Sequence, residues 1–167
     1  DVFDVDALRL LSYRNSAIIY NTYTYVPDDN FEQALIDFGY DDVLDDYVLT
    51  ENILDITYLN VSTKGISDLT GIEDFESLEI LYCFENNLSS LDISSNSNLI
   101  KLYCYNNQIT NIDISQNQNL ESFDIGNNNL NSIDVSNNTL LQLLDIGDNP
   151  FSGLNVNNNT ALVLLLV

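Results

Sequence analysis

A segment of the form L-x-x-L-x-[CI]-x-x-N-x-[LIF] recurs in this chain at a constant spacing of 21 residues. Self-similarity at a fixed period of this length is typical of a solenoid, in which each unit buries its apolar face against its neighbours. The sequence therefore predicts a solenoid, an architecture that offers an extended surface rather than an enclosed reaction site. The successive copies start at Leu78, Leu99, Leu120, Leu141 and Leu162.

Each copy has two further framework positions. The inner apolar position is expected to point into the core, where truncation costs roughly 2–5 kcal/mol. The Asn position is expected to turn the chain out of the strand, with an amide that satisfies backbone groups. The inner positions are Cys83, Cys104, Ile125, Ile146 and Val167, and the Asn positions are Asn86, Asn107, Asn128 and Asn149.

A second apolar run is nested in each copy, as in residues 91–93 (LDI) followed by Asn96. β-Branched residues and Asn are frequent in the repeats, and helix signals are few. We therefore expect a mostly β solenoid, with parallel strands on the concave side, a second extended ladder on the opposite side and a small N-terminal helical cap.

The sequence divides into three regions. Residues 1–25 form an N-terminal extension of unclear role, residues 26–55 a helical cap, and residues 56–167 about five coils and a partial one. In the cap, Asp29 and Glu32 fit a capping box. This pattern predicts a short amphipathic helix that covers the first exposed edge of the solenoid.

The charge of the chain limits its partners. It has 26 Asp and Glu against 4 Lys and Arg, which gives a formal net charge of −22. Such a field repels phosphate groups, so we expect no nucleic-acid binding. No run approaches the roughly 18 apolar residues of a membrane span, so we expect no membrane insertion. The chain has no His, and its sequence contains no nucleophile–base arrangement, so we expect no enzymatic activity.

Residues 56–167 resemble leucine-rich repeats, specifically the short bacterial type with nested half-repeats. The first coil begins at Ile56 and, with 22 residues, resembles the internalin pattern. The cap is similar to the region that precedes the repeats in secreted and cell-surface bacterial proteins of this class. The resemblance implies an extracellular or surface-attached recognition module. The first residue, Asp1 rather than Met, indicates a mature or excised segment.

Cys83 and Cys104 occupy equivalent positions in neighbouring coils. They should therefore stack about 4.8 Å apart. We interpret them as two small buried thiols, and a redox pair or a metal site is the alternative.

A carboxylate column is expected at Asp92, Asp113 and Asp134. We expect these carboxylates to accept hydrogen bonds from neighbouring Ser94 and Ser115. The alternative is a calcium site. The sequence thus predicts no cofactor and no metal, with calcium left as an alternative.

Strand alternation turns the residues between the core positions onto the open concave surface. Aromatic residues there form a patch over the first three coils, and Asp residues follow in the next two. Exposed aromatic patches tend to mark interfaces, although cross-strand aromatic pairs also stabilise sheets. The predicted ligand-binding residues are Tyr58, Tyr82, Phe84, Lys101, Tyr103, Tyr105, Asp124 and Asp145.

We interpret the chain as a non-catalytic extracellular recognition or adhesion module that binds a protein or a glycan through this concave face. One alternative is an acidic inhibitor or immunity-type protein, whose charge would steer and sequester a basic partner. Another is a structural module that forms a homodimer through its open C-terminal edge, because the apolar run 161–167 has no polar cap.

Overall fold

The computed structural model describes residues 12–14, 17–19 and 22–167. Near the N-terminus, β1 (Ser12–Arg14) pairs antiparallel with β2 (Ala17–Ile19). Among the described residues, no helix has the length and apolar character needed to cross a membrane.

The solenoid is built on one parallel sheet of six strands, which lie side by side in chain order. The register advances by one repeat per strand, so that Leu102 pairs with Leu81 and Phe123 with Leu102. The central residue of each of the first five strands is buried in the core. The predicted β solenoid with parallel strands is therefore confirmed. Its strands are β5 (Tyr58–Asn60), β6 (Ile80–Tyr82), β7 (Lys101–Tyr103), β8 (Ser122–Asp124), β9 (Leu143–Asp145) and β10 (Leu164–Leu166).

The framework Asn side chains connect one coil to the next. The Nδ2 of Asn128 donates to the backbone oxygens of Cys104 and Ile125, both at 3.1 Å, and its Oδ1 accepts from Ile109 N at 2.9 Å. Asn107 and the other members of the column repeat this pattern. Because each amide satisfies backbone groups in two coils, the column stabilises both the turn and the stacking, as the sequence predicts.

The second extended ladder is a prediction that the structure corrects. Within residues 22–167, no strand is assigned to that half of any coil. In one coil, Ser115 N donates to Asp113 Oδ1 at 2.8 Å, and Asn117 N donates to Ile114 O at 3.1 Å. These consecutive turns leave no extended stretch long enough to pair. Neighbouring coils are joined there by side chains instead, since Asn117 Nδ2 donates to two carbonyls of the preceding coil at 2.9 Å.

The cap consists of a small sheet and a helix. Strand β3 (Tyr23–Tyr25) pairs antiparallel with β4 (Tyr47–Leu49), and helix α1 (Asp29–Asp37) lies between them in sequence. A short 3₁₀ helix, Thr50–Asn52, follows. Because β3 pairs with β4, residues on both sides of the proposed boundary at residue 25 share one sheet. The division into extension, cap and solenoid stays a prediction.

The N-cap of α1 is Asp28 rather than Asp29. The Asp28 Oδ1 accepts from the backbone N–H groups two and three residues further along, both at 3.0 Å. The expected capping box is therefore wrong. Glu32 has a different role, because its buried Oε1 accepts from Asp45 N at 2.8 Å and from Tyr47 N at 3.1 Å, which holds the segment that leads into β4.

Asp28 also fastens the cap to the first coil. Its Oδ2 accepts from Ser67 N at 2.8 Å, from Ser67 Oγ at 2.7 Å and from Asp68 N at 3.1 Å. Nearby, the rings of Phe31 and Phe75 stack with their centroids 6.3 Å apart. The helix thus covers the first edge of the solenoid core and fixes where the sheet begins.

Candidate binding surface

The predicted binding residues lie in three rows on the solvent-facing side of the six-stranded sheet, which we call the sheet surface. The register of the parallel strands sets these rows, with one residue of each coil in each row. The rows are Tyr58, Ile80, Lys101, Ser122 and Leu143, then Asn60, Tyr82, Tyr103, Asp124 and Asp145, and finally Ser62, Phe84, Tyr105, Gly126 and Gly147.

The aromatic residues form a single stacked cluster. The rings of Tyr82 and Tyr103 lie 4.9 Å apart at 11°, and those of Phe84 and Tyr105 lie 4.5 Å apart at 5°. Tyr82 contacts Phe84 at 6.3 Å, and Tyr58 meets Tyr82 edge-on at 5.7 Å. The five predicted aromatic residues therefore lie together, and Tyr82, Tyr103, Phe84 and Tyr105 each have one ring face stacked on a neighbouring ring.

A hydrogen bond fixes the end of the middle aromatic row. The hydroxyl of Tyr103 lies 3.0 Å from Ser122 Oγ on the next strand. Ser122 is not among the predicted site residues. The one feature of the sequence that could have indicated it is that Ser122 is a small polar residue in a row of larger side chains. Burial raises the pKa of Tyr82, and the neighbouring phenols of Tyr103 and Tyr58 raise it further. Burial also raises the pKa of Tyr105, with a further contribution from the carboxylates of Glu85 and Asp124. The phenols of Tyr82 and Tyr105 thus stay protonated near neutral pH and can donate hydrogen bonds.

Two carboxylates follow the aromatic cluster. Asp124 and Asp145 pair in register on adjacent strands. Asp124 Oδ1 accepts from Gly126 N at 3.1 Å, and Asp145 Oδ1 accepts from Gly147 N at 2.9 Å. Burial raises the pKa of Asp124, and the charge of Asp145 adds to this effect, whereas the hydrogen bond from Gly126 opposes it. Two like charges are therefore held side by side against their mutual repulsion.

Among the residues that the structure describes, no basic side chain forms an ion pair with Asp124 or Asp145. Within residues 22–167, Lys64 and Asp37 form the only ion pair, with a distance of 3.2 Å. Lys101 lies on the first row, beside Ser122. The sheet surface thus combines an aromatic cluster with a pair of carboxylates that have no cationic partner within the described chain. That these residues bind a ligand stays a prediction.

The carboxylate column on the opposite half of the coils has partners of its own. Asp92 Oδ1 accepts from Ser94 N at 3.0 Å, and Asp113 Oδ1 accepts from Ser115 N at 2.8 Å. These hydrogen bonds lower the pKa of both carboxyl groups. The expected serine contacts are therefore present. Within the described residues, no group of three or more His, Cys, Asp and Glu side chains is placed to hold a metal ion.

The two cysteines lie in the core of the solenoid. Cys83 and Cys104 are both buried free thiols. Burial raises the pKa of Cys104 well above its usual value, and a hydrogen bond with Cys83 raises it further. Burial makes both thiols inaccessible in the folded chain. Because the thiolate is the reactive form, the raised pKa makes Cys104 a poor nucleophile as well.

We expect iodoacetamide to alkylate the two thiols at least about 100-fold more slowly in the native chain than in guanidinium chloride, because reaction requires local opening of the core. Mass spectrometry of timed samples measures both rates. Rapid native labelling at either position would show that the packing around that thiol opens readily.

Comparisons with known proteins agree with this architecture. The family model described as Leucine Rich repeats (2 copies) matches residues 97–138. Internalin J of Listeria monocytogenes serotype 4b (strain F2365) is 35% identical over 73 residues. The functional domain of InlJ from Listeria monocytogenes, described as including a cysteine ladder, is 32% identical with a TM-score of 0.77 over 85% of this chain. The solenoid is therefore similar to the leucine-rich repeats of bacterial internalins.

This internalin-like chain matches only part of its relatives. The match covers 8% of internalin J, 32% of the InlJ structure and 56% of the structure of the internalin InlF from Listeria monocytogenes str. 4b F2365. InlF is 20% identical, with a TM-score of 0.66 over 84% of this chain, and this similarity concerns the fold alone. The internalin-like repeat fold is typical of protein-interaction modules, and internalins are typically surface or secreted proteins.

Proposed function

We propose that this chain is a non-catalytic recognition module of the cell surface or extracellular space, which binds a protein through the sheet surface. The observation that supports this most is the stacked aromatic cluster on the open side of the sheet, beside two carboxylates that form no ion pair with any residue the structure describes. Clusters of Tyr provide large contact areas at low cost in conformational entropy, which is why they are frequent at protein interfaces.

The ring geometry favours a protein over a glycan. A sugar ring binds an aromatic side chain by lying on its face. Here Tyr82 and Tyr103 cover each other at 4.9 Å, and Phe84 and Tyr105 cover each other at 4.5 Å. Each of these four rings therefore has one face that is not available to a sugar, and the phenol groups of Tyr82 and Tyr105, whose pKa values are raised, stay protonated and can donate hydrogen bonds. Such a surface suits apolar side chains and backbone carbonyls of a protein partner.

A second candidate function is self-association through the C-terminal edge. Strand β10 pairs with β9 on one side. Its residues Leu164, Leu165 and Leu166 are 43%, 38% and 45% exposed, and an apolar recess that includes Phe151 lies next to it. Among the described residues no strand pairs with the other edge of β10, and an exposed apolar strand edge of this kind can add a strand from a second copy.

The first test is a capture experiment with the whole chain. We expect Tyr103→Ala/Tyr105→Ala to retain at least about tenfold less of a protein ligand than the wild type, because truncated aromatic anchors lose most of their contact energy. The bait is exposed in parallel to a protein extract and to a glycan array, and bound material is quantified by mass spectrometry and by fluorescence.

The matched control is Thr110→Ala/Gln118→Ala, which changes two exposed residues outside the sheet. Circular dichroism verifies that both double variants are folded. Equal capture by all three chains would contradict binding through the aromatic cluster, whereas selective retention of a glycan would contradict a protein ligand. Sedimentation of the bait alone shows whether it forms the homodimer of the second candidate.

A further inference from the structure

We propose that the N-terminal cap is pH-sensitive, because Asp41 takes up a proton that supplies the donor missing from two buried carboxylate oxygens. The segment between α1 and β4 is then held more firmly in mildly acidic solution than at neutral pH. This inference goes beyond the proposed function and does not depend on it.

Glu32 provides the first of the two oxygens. Its side chain is 0% exposed, and its Oε1 accepts from two backbone N–H groups of the segment that leads into β4. Its Oε2 is also buried but has no hydrogen-bond partner among the described residues. An ionised carboxylate held in this way carries a desolvated oxygen without a donor, which destabilises the folded state.

Asp41 provides the second oxygen. Its Oδ2 is buried and likewise has no hydrogen-bond partner within the described chain. The carboxylates of Glu32, Asp42 and Asp45 lie close enough to Asp41 for their charges to act on it. A recess beside Asp41 is lined by three further titratable groups, the phenols of Tyr23, Tyr40 and Tyr47.

No cation of the described chain neutralises these carboxyl groups. The ion pair of Lys64 with Asp37 is the only one within residues 22–167, and no group of three or more His, Cys, Asp and Glu side chains there is placed to hold a metal ion. A proton from the solvent resolves both difficulties, since it removes one negative charge and turns a carboxylate oxygen into an O–H donor.

The direction of the effect follows from the pKa of Asp41. Burial raises this pKa, and the charges of Glu32, Asp45 and Asp42 raise it further, whereas a hydrogen bond from Asp42 N opposes them. The folded chain thus binds the proton more tightly than the unfolded chain does. The resulting stabilisation is complete below the unfolded pKa and is lost as the pH rises through the folded pKa.

The test is amide hydrogen exchange of the whole ¹⁵N-labelled chain between about pH 4 and about pH 7.5, corrected for the intrinsic exchange rate at each pH. The amides of Asp45 and Tyr47 report directly, because both donate to Glu32 Oε1. We expect their protection, relative to amides of β7, to fall at least about threefold over this range, the factor that corresponds to half a pKa unit.

Three variants assign the effect. Asp41→Asn replaces the carboxyl group by an amide, which is neutral and donates at every pH, so the fall in protection should disappear. Glu32→Gln keeps an acceptor for the two backbone N–H groups, adds a donor and should also remove the fall. Asp55→Asn makes the same change of charge at an exposed residue of the cap and should behave as the wild type does.

An equal fall in protection in the wild type and in Asp41→Asn would overturn the proposal. It would also fail if Asp55→Asn behaved like Asp41→Asn, because net charge alone would then explain the effect. Addition of 5 mM CaCl₂ at pH 7.5 distinguishes a proton from a metal ion. If calcium protects the two amides of the wild type as much as Asp41→Asn does, a metal ion neutralises the carboxyl groups and the proposal is wrong, whereas no response to calcium supports it.

Discussion

Asn128→Asp is expected to lower the free energy of unfolding by about 3–5 kcal/mol, because several buried groups lose their partners at once. The Nδ2 of Asn128 donates to Cys104 O and Ile125 O at 3.1 Å and to Gly126 O at 3.2 Å. An aspartate has nearly the same shape but places a negatively charged acceptor against these three carbonyls. Urea unfolding monitored by circular dichroism measures the loss.

Asn129→Asp is the matched control for this prediction. Asn129 is the next residue and is exposed, so the variant makes the same change of charge without disturbing buried hydrogen bonds. Its free energy of unfolding should stay within about 0.5 kcal/mol of the wild type. If both variants lose the same amount, the effect comes from the added charge on an already acidic chain rather than from the Asn column.

The regular repeat made the sheet and its surface rows predictable. A constant spacing of 21 residues fixes which residues lie side by side in a parallel sheet, once one strand is located. Alternation of side chains along the strand then separates the core residue Leu102 from its outward neighbours Lys101 and Tyr103. For this reason the sequence alone placed all eight predicted site residues on the same side of the sheet.

The orientation of the aromatic rings could not be derived in the same way. Stacking of Phe84 on Tyr105 depends on side-chain torsions, which the spacing of residues leaves open. The bond from Tyr103 to Ser122 likewise crosses between strands and between rows. These details decide which ring faces are covered by a neighbouring ring.

On the opposite half of the coils, the alternation of apolar residues did not suffice to predict the backbone structure. Alternating apolar residues such as Ile112 and Ile114 are typical of a strand, and both are buried. The adjacent Asp113 and Ser115 nevertheless form a turn through a side chain to backbone hydrogen bond. Such local bonds compete with strand pairing, which is why the predicted second ladder is absent.

The backbone conformation at the end of each strand could not be predicted from the sequence either. The residue before each framework Asn has a positive φ, for example 54° at Glu85 and 50° at Asn127. Asn tolerates this conformation, whereas Glu adopts it rarely. At Glu85 the conformation is imposed by the following Asn86, whose amide binds the backbone of two coils.

Gly71→Ala is expected to destabilise the chain by about 2–4 kcal/mol and to loosen the cap from the solenoid, since it combines backbone strain with a steric clash. Gly71 precedes the 3₁₀ helix Ile72–Asp74 and has a φ of 103°. A Cβ there would lie 2.8 Å from Tyr25 O and 2.9 Å from Val26 Cγ2. Because the first clash is with backbone, rotation of a side chain cannot relieve it.

The clash would displace β3 from the first coil. Thr24 of this strand donates from Oγ1 to Asp74 Oδ2 at 2.6 Å, so movement of the strand breaks that bond as well. Amide hydrogen exchange should therefore accelerate in β3 and β4 more than in β7 and β8. Equal acceleration throughout the chain would indicate that cap and solenoid unfold as one cooperative unit.

Two other glycines separate the causes of this loss. Gly39 has a φ of 79° but no atom within 4 Å of an added Cβ, so Gly39→Ala measures backbone strain alone and should cost about 1 kcal/mol. Gly153 has neither a positive φ nor a neighbour, so Gly153→Ala should be nearly neutral. If Gly71→Ala lowers the free energy of unfolding no more than Gly39→Ala does, the cap and the first coil can move apart at little cost to accommodate the added methyl group. If the loss in free energy of unfolding is largest for Gly71→Ala, smaller for Gly39→Ala and smallest for Gly153→Ala, the contact between the cap and the first coil is rigid. The cap then holds in place the edge of the sheet at which the aromatic rows of the sheet surface begin.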